Sequence, residues 1–403
     1  MSILENSMSD WQTLGEVVTL QRGTTYLSRR LGEPGPVLLG LGAIQRHGGF
    51  KKGQLKTYGG ESADKLLLRP GDLFLSLKDV TQDAALLGAV ARVPTSVGVG
   101  RLTQDTVKLT IKATDVRADY LYWVLRTPQY REYCRQHAIG TTNLSLSRED
   151  FLSYSIPPAT ADRVKLIILL EAIESKIAVN DRIAATYDSL FQAKFVELGT
   201  AEEGDCPVTE LVDFNPRTPR PSQEDAVYVD MAALPTRQSS IRTWTRRPPK
   251  GGSRFQNGDT LLARITPCLE NRKTGYVDFL KENETGAGST EFIVMRSREG
   301  VPPEFSYFLA RDERFREHAI RKMVGSSGRQ RVSAAEAAQF FVRRPNLGRL
   351  SAFGAEVGAA FRHLKSLMEE SRVLERLRDT LLLELMSGRL RVKDAQKVAE
   401  EAV

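Results

Sequence analysis

This 403-residue chain repeats itself, and that constrains its fold more than any other feature. Arg69-Pro70-Gly71-Asp72-Leu73-Phe74-Leu75 returns as Gln256-Asn257-Gly258-Asp259-Thr260-Leu261-Leu262. Tyr120-Leu121-Tyr122, with Arg126, Arg131 and Glu132, returns as Phe305-Ser306-Tyr307, with Arg311, Arg316 and Glu317. Gly140-Thr141-Thr142 returns as Gly325-Ser326-Ser327, and Leu146-Ser147 as Val332-Ser333. The offset stays between 185 and 187, so the four matches describe one unit of about 190 residues present twice. Within each copy, short apolar runs separated by Gly and Pro read as strands and turns. A helix follows, over Asp119–His137 and Pro303–Met323, then a Gly-Ser/Thr loop, then a long helix.

The long helices carry a heptad seam. Leu166, Leu170, Ile173, Ile177, Asn180, Ala184, Tyr187 and Phe191 alternate steps of four and three. Val357, Ala360, Leu364, Leu367, Ser371, Leu374, Arg378, Leu381 and Leu385 keep the same rhythm. Leu170 falls on Val357, Ile177 on Leu364 and Tyr187 on Leu374 at offset 187. Asn180 lies in the seam, where a polar residue fixes register. Thr160 or Asp162 can cap the first helix after Pro157-Pro158. The pattern predicts an antiparallel pair; the plainer alternative is two amphipathic helices, each packed on its own domain.

Charge follows the repeat. Residues 10–157 hold 19 Lys/Arg against 14 Asp/Glu, and residues 205–345 hold 23 against 18. Residues 158–204 hold 5 against 8, and residues 346–403 hold 10 against 9. Two basic blocks suit a polyanion, with surface solubility the bland alternative. Hydrophobic residues at 41% and charged residues at 27% describe a globular chain. No apolar run reaches the roughly 18 residues of a membrane span, and no signal-peptide layout is expected over Met1–Asp10. Cys134, Cys206 and Cys268 are three and far apart, which argues against a disulfide framework and fits a reducing cytoplasm. His47, His137, His318 and His363 are too scattered to suggest a metal site.

Catalytic motifs are missing. There is no Walker A sequence and no Asn/Asp-Pro-Pro-aromatic motif; Phe214-Asn215-Pro216-Arg217 comes nearest. Gly98-Val99-Gly100 lacks the third glycine of a dinucleotide fingerprint. Glu174-Ser175-Lys176 has a nuclease-like spacing, but on the heptad helix it reads as solvated charge. Polar and basic segments are richer. They include Gln45, Arg46, Lys51, Lys52 and Gln54 in the first copy, then Thr141, Thr142 and Asn143. In the second they are Arg242, Arg246 and Arg247, then Asn271, Arg272 and Lys273, then Ser326, Arg329, Gln330 and Arg331. Arg, Gln and Asn bond base edges, whereas Lys, Ser and Thr mostly hold phosphates, so these segments are the candidate DNA contacts.

In this order, the motifs resemble those of the specificity (S) subunit of type I restriction–modification enzymes. Pro70-Gly71-Asp72-Leu73 and Asn257-Gly258-Asp259 look like its Pro-Gly-Asp strand motif. Gly140-Thr141-Thr142, Leu146-Ser147 and Ile156-Pro157-Pro158 look like the run that follows, and Leu169–Asn180 is similar to its central helix. Leu381 to Leu390 looks like its C-terminal ending. Arg343-Arg344-Pro345, where Pro-Pro is usual, and Arg378 on the seam depart from the pattern. The resemblance implies an α+β chain: two duplicated α/β target-recognition domains, separated by two long antiparallel coiled-coil helices, with pseudo-twofold symmetry. Its domains would be 1–158 and 205–345, with the helices at 159–204 and 346–403. Each domain would read one half of a bipartite site in double-stranded DNA. The helices would hold the domains apart and bind two methyltransferase subunits, with Leu170, Ile173, Ile177, Asn180, Tyr187, Val357, Leu364, Leu367, Leu374 and Leu381 as the coiled-coil and partner positions. No cofactor would be bound by this chain; S-adenosylmethionine, ATP and Mg would belong to the methyltransferase and restriction subunits. An enzyme fused to these domains would need a motif that is not visible. A plain coiled-coil interaction protein would leave the basic blocks without a role.

On this reading helix length sets the unspecific gap in the DNA target. The seam from Leu166 to Phe191 is about 26 residues, or roughly 40 Å and some 12 base pairs. One heptad inserted before Asn180, matched by one in the second helix, adds about 10 Å, or roughly three base pairs of gap. Methylome sequencing is expected to show that longer gap with both half-sites unchanged. An active complex with an unaltered gap would show that the helices are not the spacer.

Overall fold

The repeated Gly-Asp pair forms the same turn twice in the structure, a computed structural model that describes residues 10–387 apart from 52, 54, 82, 201, 222–224, 250 and 327. Gly71 has φ +94° and Gly258 φ +90°, a region that glycine enters without strain. Asp72 accepts from the Arg69 amide at 2.8 Å, and Asp259 from the Gln256 amide at 2.8 Å. Each carboxylate also meets a cation across the sheet: Lys108 at 2.7 Å and Arg296 at 2.6 Å. The turn is thereby locked to the strand beside the one it feeds.

Two compact units result. Met1–Ser175 with Val373–Val403 form one, and Lys176–Arg372 the other, so each long helix contributes to both. In the first unit a four-stranded antiparallel sheet runs in the order Val18–Arg22, Thr106–Ile111, Leu73–Ser76, Val90–Arg92. A second sheet pairs Val37–Leu39 in parallel with Gly100–Leu102, which pairs antiparallel with Leu67–Leu68. In the second unit the order Val212–Phe214, Phe292–Ser297, Thr260–Ala263, Thr274–Tyr276 is the same. Ala226–Val229 likewise runs parallel to Gly286–Gly288, itself antiparallel to Ser253–Phe255. Thr245–Arg247 runs antiparallel on the edge beside Ala226–Val229, where the first unit has a shorter counterpart in the antiparallel bridge between Val37 and Thr57.

The single helix expected in each copy is two helices. The first unit has Ala118–Val124 and Pro128–Gln136, and the second has Phe305–Arg311 and Glu313–Arg321. Pro128 has no amide proton to continue the first helix, and it forces Thr127 into an extended conformation (φ −65°, ψ 148°) from which its hydroxyl caps the second. Asp312 is extended in the same way, and its carboxylate accepts from the Arg314 and Phe315 amides at 3.0 and 3.2 Å. Ser147 and Ser333 cap the short helices Arg148–Ser153 and Ala334–Ala337.

The long helices span Ala161–Glu197 and Leu347–Ser387, and Thr160 accepts from the Arg163 amide at 3.4 Å. Within the first unit Arg163 donates to the Leu385 carbonyl at 3.1 Å and Arg378 meets Glu174 at 3.5 Å. Within the second, Asn180 donates to Ser371 at 3.1 Å, Tyr187 meets His363 at 3.2 Å and Lys194 meets Glu356. Partner numbers fall as helix numbers rise, so in each unit the segments run antiparallel. The buried stripe is wider than a two-position seam: Leu367 and Leu374 are half-buried, while Met368 and Leu377 are buried. The second helix also packs on its own domain, with Phe361 edge-on to Tyr276 at 4.9 Å and against Tyr307 and Phe308. Both readings of the helices therefore hold at once.

Asp278, in the second unit, follows the strand Thr274–Tyr276, and its Oδ1 is buried without a hydrogen bond. Burial pushes its carboxyl up to about 6; Lys365 pulls it back and Glu369 adds to the rise. Above that pH both the folded and unfolded states are ionised, and only the folded state bears a buried charge. Below the ordinary carboxylate pKa both are neutral and the cost disappears. Asp278→Asn is expected to raise stability at pH 7.5 by up to about 2 kcal/mol, with the gain shrinking towards zero near pH 4. Denaturation midpoints at the two pH values test this, and an equal gain at both would refute it.

Candidate nucleic-acid interface

Each unit projects a hairpin where the Gly-Thr/Ser motif lies. In the first, Ile139 and Ser145 exchange both backbone hydrogen bonds, at 2.8 and 2.9 Å, and Gly140, Thr141, Thr142 and Asn143 form the exposed tip. In the second, Val324 and Arg331 exchange both at 2.9 Å around an exposed tip that includes Ser326 and Arg329. Gly140 and Gly325 have φ of +107° and +133°. A Cβ at Gly140 would lie 2.4 Å from the Asn143 carbonyl oxygen, which is why the tip opens on glycine. The hairpins dock alike on the chain that leaves the main sheet: Ser145 pairs with Lys78, and Arg331 with Ile265.

That docking gathers several of the polar segments. In the first unit Arg46 reaches Asp83 at 3.3 Å, and the Thr81 hydroxyl bonds both Asp83 and Asp79. Asp79 pairs with Leu144 of the hairpin, so this loop joins the Gln45–Lys51 segment to the hairpin. Gln45, Arg46 and Lys51 are exposed, while Lys52 and Gln54 lie outside the described residues. A cavity of about 280 Å³ opens beside the hairpin, with Arg22, Lys78 and Arg148 among its lining residues and Asp105 paired to Lys78. In the second unit Thr266 exchanges hydrogen bonds with Gln330, at 3.0 and 3.1 Å, and its loop leads to Asn271, Arg272 and Lys273.

Several of the expected DNA contacts have partners inside the protein. Arg242 is turned to Asp181 of the first long helix, and neighbouring Trp244 stacks on Phe279 with Arg372 over its ring at 4.3 Å. Arg246 meets Glu284 at 2.9 Å, and Arg247 lies over Tyr228 at 3.3 Å. Arg272 meets Glu313 at 2.7 Å, and Lys273 donates to the Met231 carbonyl at 2.7 Å. Arg331 meets Glu291 at 2.8 Å, with Arg264 on the same carboxylate at 3.4 Å. Lys51 and Arg329 are exposed, with no side-chain partner among the described residues. The composition of the loops contained no sign of these pairings, because each partner is distant in sequence. Sequence reasoning also missed Ile139 and Val324, which the repeat offset would have paired. Of the helix residues expected at coiled-coil and partner positions, Leu170, Ile173, Ile177, Asn180, Val357, Leu364 and Leu381 are buried, and Tyr187, Leu367 and Leu374 are half-buried.

Glu291→Gln leaves Arg331 and Arg264 facing a neutral amide at the base of the second hairpin. The Val324 and Arg331 amides are expected to lose roughly five-fold in hydrogen-exchange protection, with the Ile139 and Ser145 amides unchanged. Equal protection in the variant would show that the carboxylate does not hold this hairpin.

No family model matches the chain. Over 132 residues it is 29% identical to the EcoAI specificity subunit of a type I restriction enzyme of Escherichia coli, and equally to the EcoEI subunit. Each match takes 31% of this chain and 22% of the relative, so the chain spans about a fifth of the length of the curated relatives it matches. The crystal structure of the S subunit of a type I restriction–modification system from M. genitalium aligns with a TM-score of 0.55 at 14% identity. That alignment covers 93% of this chain and 95% of the other. The duplicated sheets and paired long helices thus form the fold of a type I restriction–modification S subunit, the family that the sequence resembles.

Proposed function

We propose that this chain is the DNA-recognition subunit of a type I restriction–modification complex, non-catalytic in itself. Each unit reads one half of a bipartite, asymmetric site, and the long helices dock two methyltransferase subunits. Adenine methylation and ATP-dependent cleavage belong to those subunits and to restriction subunits. The observation that carries the reading is one architecture built twice with different exposed residues. The two main sheets have the same strand order, and the two hairpins the same closing bonds. Yet one tip ends on Asn143 and the other on Arg329 and Gln330. Two readers of the same build with different side chains fit a target whose halves differ. Among the described residues no helix is long and apolar enough to cross a membrane, and no cluster of His, Cys, Asp and Glu is suited to a metal.

Co-expression with the methyltransferase subunits, followed by methylome sequencing, is expected to give one split motif with two unlike halves. Methylation without a split motif would refute the reading, as would methyltransferase or nuclease turnover by the pure chain. Within that assay Arg329→Ala is expected to relax a guanine position in one half-site, since Arg bonds guanine bidentately at about 1–3 kcal/mol of discrimination. Lys51→Ala with Lys52→Ala is expected to weaken binding to all sequences and to lower the log–log salt slope by about 0.9 for each phosphate no longer neutralised. An unchanged slope would show that those lysines do not touch phosphate.

A further inference from the structure

We infer that the shared part of the two hairpins is a matched pair of clamps on the DNA sugar–phosphate backbone, one per unit, that carry no sequence information. The inference rests on the DNA-recognition reading and adds a division of labour within it.

A feature kept in both copies of the duplicated unit either serves the fold or meets something present at both half-sites. Most of the shared features have a task inside the protein. Gly71 and Gly258 make turns, and Asp72 and Asp259 bind backbone amides and a cation. Thr127, Asp312, Ser147 and Ser333 cap helices. Tyr122 accepts from Arg126, and Tyr307 donates to Asp188 beside Arg311. The hairpin tips are different. Ile139 is 59% exposed and Val324 65%, at matching positions next to the positive-φ glycines. Thr141, Thr142 and Ser326 are exposed, and no side-chain hydrogen bond uses their hydroxyls among the described residues. Folding alone does not call for an aliphatic residue in water twice, or for hydroxyls beside it.

Half-sites that differ in sequence have only the sugar–phosphate backbone in common. Short hydroxyls and open backbone amides are phosphate donors, and such contacts position a protein without reading bases. Ile139 and Val324 then cover the apolar faces of the sugars. Cations lie by the base of both hairpins and favour a polyanion as the occupant. Arg22, Lys78 and Arg148 line the cavity beside the first hairpin. Arg321 and Lys322 are exposed at the end of the helix that leads into the second. The positions where the tips differ, Asn143 against Arg329 and Gln330, are left to read bases.

The test uses the full chain with two duplexes, one carrying the methylome-defined target and one a scrambled sequence. Thr141→Val with Thr142→Val removes two hydroxyls and keeps side-chain shape; Ile139→Glu sets a charge against the backbone. The first variant is expected to bind both duplexes roughly five-fold more weakly for each hydrogen bond removed, with an unchanged salt slope because neutral donors release no counterions. Ile139→Glu is expected to weaken both duplexes further, and complexes of either variant with the methyltransferase subunits should methylate the wild-type motif. Circular dichroism and the Ile139–Ser145 amide protection check that the hairpin persists. Loss confined to the target duplex, or an altered motif, would overturn the clamp in favour of base reading. Intact DNA affinity with loss of methyltransferase co-purification would assign the tips to a protein partner, and unchanged binding by both variants would leave them no role in DNA contact. A wild-type chain that shows no preference for the target would instead bring down the recognition reading itself.

Discussion

A carboxylate on the long helix, held by an arginine and an aromatic side chain, is the contact on which each unit depends. In the first unit Glu171 receives both arms of Arg92 at 2.9 Å and the Trp123 indole N–H at 2.7 Å, while Glu174 meets Arg126 at 3.6 Å. In the second, Asp188 receives Arg311 at 3.0 Å and the Tyr307 hydroxyl, and burial pushes its carboxyl up despite them. Such buried and half-buried pairs add little net stability, but losing one partner strands the other, so they specify one arrangement rather than strengthen many. They turn a sheet domain that could rest on a helix in several ways into one with a fixed seat. The exposed loops inherit their positions from that seat.

The two units can be compared as two solutions of one folding problem. The sheet order, the parallel pair in the second sheet and the docking of the hairpin are common to both. The seat on the helix is reached differently: a bidentate arginine with tryptophan in one unit, a tyrosine–arginine pair with Arg242 on Asp181 in the other. The two carboxylates are not counterparts in the repeat, since Glu171 falls on Gly358 at offset 187, so each unit is tied to the first long helix by its own set of residues.

Much of this was legible in the residues. The repeat offset exposed the duplication because a turn needing positive φ, such as Gly71 or Gly258, leaves a local mark. The long helices were legible because burial every three or four residues is periodic. The break at Thr127 was written in Pro128, but aromatic spacing on both sides concealed it. The roles of Arg242, Arg272, Lys273 and Arg331 could not be read locally. An arginine bound to Asp181 or Glu313 and one awaiting a ligand have the same neighbours in sequence, and only the folded chain brings their partners to them. Arg329 differs by having no such partner among the described residues, and nothing in its segment announces that.

The edge strand Thr245–Arg247 is exposed at all three positions and ends its sheet. An open sheet edge of this kind invites another chain to add a strand, and proteins commonly guard such edges with long cations. Arg246, drawn to Glu284, and Arg247, lying over Tyr228, place two guanidinium groups along that margin. The same pair that looked like a ligand-seeking motif therefore makes the sheet a poor template for aggregation, and lets the second unit carry a longer edge strand without becoming adhesive.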